Sequence, residues 1–131
     1  MFYFSIQTGH LVEQTAMRCG EYSHCREWRI GTFTDSTNFF ESVTRLPDLL
    51  IFLSTLNNIF EPHPAIAEAA KHMIPSIAVV DSNADPCLIT YPVPGNDDSR
   101  QSVAYFCRLF EAAIGAGKAK RAQCLAETTT A

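Results

Sequence analysis

Apolar residues along the chain fall either into short unbroken runs or into stripes at helical spacing, and the two kinds alternate. Phe2 to Ile6, aromatic and β-branched, reads as a strand. Thr8 or Gly9 then opens a helix with Leu11, Val12, Thr15, Ala16 and Cys19 on its inner face and Gly20 as its stop. Tyr22 to Glu41 is mixed and reads as loop with a short strand or a turn of helix. Leu49 to Leu53 is a continuous apolar run, too short for a helix and suited to a strand buried on both faces.

Pro64 fits the first position of a helix, where its missing N–H costs nothing. Ile66, Ala69, Ala70 and Met73 then make one apolar stripe, Pro75 ends it, and Ile77 to Val80 repeats the buried-strand signature. Such a β-α-β unit implies parallel strands joined by a right-handed crossover. Leu88 to Val93 supplies a further short strand, which Pro92 and Pro94 limit to an edge or an irregular piece. The last helix turns Val103, Phe106, Cys107, Phe110 and Ile114 inward. Beyond Gln123, "CLAETTTA" has little to bury and is expected to fray. The order predicts an α/β fold of the flavodoxin-like kind: a doubly wound, mostly parallel open sheet with helices on both faces. Residues 1–123 form one domain in this reading, with 124–131 a frayed tail.

Composition narrows the function. At 131 residues with 47% hydrophobic positions, the chain can bury one core. Its longest apolar run falls far short of the roughly twenty residues that span a bilayer, so no membrane partner is expected. A net charge of −4 argues against a surface built throughout to neutralise phosphates. Basic residues cluster only locally, as Arg18 with Arg26 and Arg29, and as Lys118 with Lys120 and Arg121. The five cysteines, Cys19, Cys25, Cys87, Cys107 and Cys124, include no C-x-x-C pair, so neither a disulfide framework nor a zinc ribbon is signalled. Cys25 beside His24 is a weak nucleophile signal, because catalytic pairs usually meet from distant positions. The N-terminus has neither a cationic leader pattern nor an Arg-rich amphipathic one.

Two acidic loops hold the candidate chemistry, "DSNADP" from Asp81 and "PGNDDS" from Pro94. In open α/β sheets ligands bind beyond the carboxyl ends of the strands, where these loops would lie. An enzyme or small-molecule binder would use Asp81, Asp85, Asp97 and Asp98 to hold a metal or to pair as acid and base. Yet the calcium-loop spacing begun by Asp81, Asn83 and Asp85 fails at Pro86, where glycine is needed, and at Pro92, where a bidentate Glu is needed. No glycine-rich phosphate cradle is present, and no His, Lys or nucleophile accompanies the carboxylates. The structural reading is stronger. Asp81, Asn83 and Asp85 close a turn, while Asn96, Asp97, Asp98 and Ser99 cap the last helix.

The same residues carry a resemblance. "AIAEAAKHMIPSIAVVDSNADP" and "YPVPGNDDSRQSV" closely resemble the small-subunit ribosomal protein two family, with its A-I-x-E-A, I-P-x-x-A-x-x-D-T-N-x-x-P and I-P-G-N-D-D-S pattern. Ala65, Ile66, Glu68, Ala69, Ile74, Pro75, Asp81, Asn83, Pro86, Pro94, Gly95, Asn96, Asp97, Asp98 and Ser99 match it. "RLPDLLIFL" and "GEYSHCREWRIGTFTD" extend the likeness over almost the whole chain. Three positions depart: Ser82 replaces the usual Thr, Ile30 replaces the first of two glycines before "TFTD", and Ser54 stands where bacterial members carry Asp. "TLNNIFEPH" and "CLITYPVPGNDDS" are similar to the animal mitochondrial branch.

The resemblance implies a structural, non-catalytic constituent of the mitochondrial small ribosomal subunit, working in the matrix without a cofactor or small-molecule substrate. Its implied partners are ribosomal RNA and neighbouring ribosomal proteins. The family's first portion is missing, so Phe2 would start in mid-fold, the sheet would be incomplete at its N-terminus, and an import signal would be absent from this chain. By charge alone, Arg26, Arg29, Lys118, Lys120 and Arg121 are the candidates for RNA contact. Trp28, Phe39, Phe40 and Tyr91 are candidate protein anchors or core residues.

Overall fold

The computed structural model of the chain describes residues 2–3, 9–24, 28–35, 46–57 and 61–129. Among the described residues five strands form one sheet: β1 (Phe2–Tyr3), β2 (Ser23–His24), β3 (Leu50–Phe52), β4 (Ser76–Val80) and β5 (Tyr91–Pro94). Their spatial order is β2-β1-β3-β4-β5 and every pairing is parallel. Three helices accompany them among the described residues, α1 (Gly9–Cys19), α2 (Pro64–Lys71) and α3 (Arg100–Thr129).

The two core clusters show why this is a doubly wound fold. Strand side chains alternate between faces. Accordingly Ile51 and Leu53 join Val12 and Ala16 of α1 and Val103, Phe106, Cys107 and Phe110 of α3 in one cluster. Leu50 and Phe52 point the other way, into a second cluster with Ala65, Ile66 and Ala69 of α2 and with Trp28, Phe33 and Ile89. Strand β4 divides likewise, Val79 to the first cluster and Ala78 to the second. An unbroken apolar run therefore serves two helical layers at once.

Both shorter helices stop in the same way. At the end of α1 the N–H groups of Gly20 and Glu21 donate to the carbonyls of Met17 and Ala16, and at the end of α2 those of Met73 and Ile74 donate to Ala70 and Ala69. Each is a Schellman motif, whose pivot residue takes a left-handed conformation. Gly20 does so at φ 65°, whereas Met73 does so at φ 55° with its side chain 90% exposed. The α2 stripe predicted to include Met73 therefore ends one residue group earlier, at Ala69, with Ile74 reaching the core from beyond the helix.

Strand β5 is the edge that its prolines foretold. Gly95 donates its N–H to Val80, so alternate residues Tyr91 and Val93 face β4, and Pro92 and Pro94 turn outward, where a missing donor costs nothing. This leaves an edge with no N–H at those two positions and discourages strand addition.

The end of α3 departs from expectation. Instead of fraying at Cys124 the helix runs to Thr129, with every residue from Gly115 to Thr128 exposed. Burial was the wrong criterion there: Ala, Lys, Arg, Gln, Leu and Glu dominate the segment, and all are strong intrinsic helix formers. Leu49, predicted inside β3, lies before it and is 36% exposed.

Candidate functional site

The strands are parallel, so their carboxyl ends gather at one rim of the sheet. Ser54 and Thr55 follow β3, Asp81 follows β4, and Gly95 to Ser99 connect β5 to α3. There Asp81, Asp97 and Asp98 bring carboxylate oxygens within 4.8 Å of one another. Three such oxygens are a donor set that a hard divalent cation could use. Asp85, the fourth acid of the enzyme reading, does not join them. It closes its own exposed turn, accepting the Cys87 thiol and, at 3.0 Å, the Cys87 N–H; the thiol bond first and the backbone bond second hold its pKa below the ordinary value, while the thiol bond and the charge of Asp85 push the pKa of the thiol up.

The three gathered acids have different tasks. Asp81 accepts the N–H of Ser82 at 2.6 Å, and its carbonyl accepts that of Ala84, so it closes the turn after β4. Asn83 is exposed and takes no part in those bonds. Asp97 is only 8% exposed and accepts the Ser54 hydroxyl and the Thr55 N–H, tying the start of α3 to the end of β3. Burial, ahead of repulsion from Asp98 and Asp81, pushes its pKa up against the pull of those two hydrogen bonds. Asp98 stays exposed.

Of the four polar residues only Ser99 stands at the N-cap of α3, and Asn96 closes the turn ahead of it. Asn96 accepts the N–H groups of Asp98 at 2.9 Å and Ser99 at 3.1 Å, and the Ser99 carbonyl accepts the first helical bond from Val103. Ser102 donates back to the Asn96 carbonyl at 2.6 Å. Asp97 is thus a cross-link to β3 and not a helix cap, and only the fold could show it. The flanking Gly95 is required by packing, since a Cβ there would lie 2.5 Å from Cζ of Phe106.

The basic candidates are separated. Lys118 donates to the carbonyl of Cys19 and pairs with Glu21 at 2.8 Å, so it closes the C-terminus of α1, where a cation complements the helix dipole. Arg18 pairs with Glu111 at 3.5 Å along the same α1–α3 seam. Lys120 and Arg121 stand on the exposed end of α3, and Arg29 is exposed on a turn beside α2. Arg26 lies outside the described residues, as do Phe39 and Phe40 and the pairing of Cys25 with His24. Of the remaining aromatic candidates, Trp28 is core, packed edge-on to Phe33 at 4.9 Å, and Tyr91 is 59% exposed.

Glu68 is the residue whose role the spacing of apolar positions did not disclose. It is 5% exposed, and one of its oxygens accepts the Trp28 indole N–H at 3.3 Å and the Gly31 N–H at 2.7 Å. The other accepts the Phe33 N–H at 2.9 Å. The available signal was a charged residue inside an otherwise apolar helix face, which is tolerated only when fully partnered.

A sequence model of the family described as Ribosomal protein S2 matches residues 38–117, which include both acidic loops, Glu68 and Gly95. Over 117 residues, 89% of this chain, it is 55% identical to the small ribosomal subunit protein uS2m of Bos taurus. It is 44% identical over 80 residues, 61% of this chain, to the small ribosomal subunit protein uS2 of Sulfurimonas denitrificans. With uS2 of Anaplasma phagocytophilum it shares 31% over 141 aligned positions and 79% of this chain. The chain spans 40%, 29% and 48% of the length of these three relatives, in that order. With a match over residues 38–117, the rim of acidic turns and the Gly95–Phe106 contact inside it, the chain belongs to the ribosomal protein S2 family.

Proposed function

We propose that this chain is a structural constituent of the mitochondrial small ribosomal subunit, acting in the matrix through contacts with ribosomal RNA and neighbouring ribosomal proteins, with no catalytic step. The observation that carries this reading is 55% identity, across 89% of the chain, to a bovine protein named small ribosomal subunit protein uS2m. The rim chemistry supports it. Asp81 and Asp97 accept backbone N–H groups, which is scaffold work, and Asp85 is held in a separate turn. Among the described residues no helix is long and apolar enough to cross a membrane.

With a net charge of −4, RNA affinity must come from a few placed cations. Arg29, Lys120 and Arg121 serve as those contacts in this proposal, with Arg26 a fourth outside the described residues. Lys118 is already engaged with Cys19 and Glu21. Ultraviolet cross-linking of the tagged chain in intact mitochondria, followed by sequencing of the attached RNA, tests the RNA contact. Enrichment of small-subunit ribosomal RNA is expected, and recovery at the level of an untagged control contradicts it.

A further inference from the structure

Arg29 to Thr32 is a tight turn whose backbone is fixed from several sides. The Arg29 carbonyl accepts both the N–H of Thr32 at 3.1 Å and its hydroxyl at 2.6 Å. Gly31 has φ 96°, a positive value at the third position of the turn that favours glycine. Its carbonyl accepts the N–H of Asp35 at 2.7 Å. From beneath, the buried Glu68 carboxylate takes up Trp28, Gly31 and Phe33. The two residues at the tip point outward instead, Arg29 exposed and Ile30 79% exposed. The backbone beneath that cation is already ordered, so only its side chain has to be ordered when it takes a partner.

We propose that Glu68 is a positioning residue for RNA contact: by pinning the Trp28–Phe33 segment from the core, it holds Arg29 in place to take a backbone phosphate. This rests on the RNA-contact reading above and adds to it the residue that organises one contact. Arg suits the task, because its planar fork matches phosphate and stays charged at any accessible pH. The Glu68 oxygens accept from Trp28, Gly31 and Phe33 below the turn, and among the described residues Glu68 forms no ion pair with Arg29.

The test is fluorescence anisotropy of the full 131-residue chain with a labelled RNA hairpin of mixed sequence, titrated at several salt concentrations. Arg29→Ala is expected to reduce the slope of log affinity against log salt by about 0.7–0.9, one phosphate contact. Glu68→Gln keeps the volume but sets an amide N–H against backbone donors, and it is expected to reduce the slope by the same amount. The double variant should lose no more than either single one. Ile30→Gly leaves the core intact and loosens the tip, and an intermediate loss is expected from it, which keeps the test valid if circular dichroism shows Glu68→Gln unfolded. Losses that add in the double variant, or an unchanged slope in both Glu68→Gln and Ile30→Gly beside a reduced one in Arg29→Ala, overturn the positioning role alone. Absence of binding by the unaltered chain, or indifference to Arg29→Ala, overturns the RNA contact on which it rests.

Discussion

The carboxylate of Glu68 accepts the backbone N–H of Gly31 at 2.7 Å across a sequence separation of 37 residues, and it is one of three donors that the carboxylate satisfies. Removing it takes the carboxylate acceptor from the buried N–H groups of Trp28 and Phe33 and from the half-buried one of Gly31. An orphaned buried donor costs about 1–3 kcal/mol, so Glu68→Ala is expected to lower stability by about 3 kcal/mol or more in urea titrations. Trp28 fluorescence gives a local reading of the same event, since its indole loses its acceptor.

At the opposite layer, Gly95 lets the Phe106 ring lie where a side chain would otherwise be. With a Cβ at 2.5 Å from the ring and 3.3 Å from Cγ1 of Val79, Gly95→Ala is expected to overpack that cluster. Its cost is about 1–3 kcal/mol, and Phe106→Leu in the same chain should recover part of it, as thermal unfolding of the single and double variants would show.

Asn96 and Asp97, adjacent in sequence, should behave differently with pH. Asn96→Ala removes the acceptor for two N–H groups in the turn ahead of α3 and is expected to cost about 1 kcal/mol at any pH. Asp97 has a raised pKa in the folded chain, through burial first and through Asp98 and Asp81 after it. Its favourable contribution is therefore fully present below the unfolded value of about 3.9 and is lost as pH rises through the folded value. Stability of Asp97→Asn relative to the parent should accordingly improve between pH 4 and neutrality, and urea midpoints across that range measure it. A difference that stays flat argues that the carboxylate carries no buried charge.

Met73 sits at a position where glycine is the usual residue, with φ 55° and a side chain 90% exposed. Little packing is lost on its removal, and the left-handed conformation costs a non-glycine residue about 1 kcal/mol. Met73→Gly is therefore expected to raise the melting temperature slightly, whereas Gly20→Met at the matching end of α1 should lower it.

Much of this architecture was legible because its signals are periodic. Runs such as Leu49 to Leu53 and Ile77 to Val80 can satisfy only a strand covered on both faces, and the division of Leu50 and Phe52 from Ile51 and Leu53 shows that cover. The prolines of β5 likewise fixed an edge. What stayed hidden depends on contacts between distant segments. Nothing local distinguishes Asp97, which reaches Ser54, from Asn96, which closes the turn ahead of α3, since both residue types favour helix starts. Lys118 looked like a free cation because its partners, Cys19 and Glu21, are nearly a hundred residues earlier. The Ile30 departure from the family pattern raised a question about loop shape that the turn answers: the positive φ belongs to Gly31, and Ile30 stands in solvent.

Incorporation of the chain into the small ribosomal subunit is read by sedimentation. Tagged chain expressed in mitochondria and run on a sucrose gradient is expected to travel with the small ribosomal subunit, tracked by its ribosomal RNA. Confinement to the top of the gradient, with the small subunit sedimenting normally and free of the tag, would contradict the account.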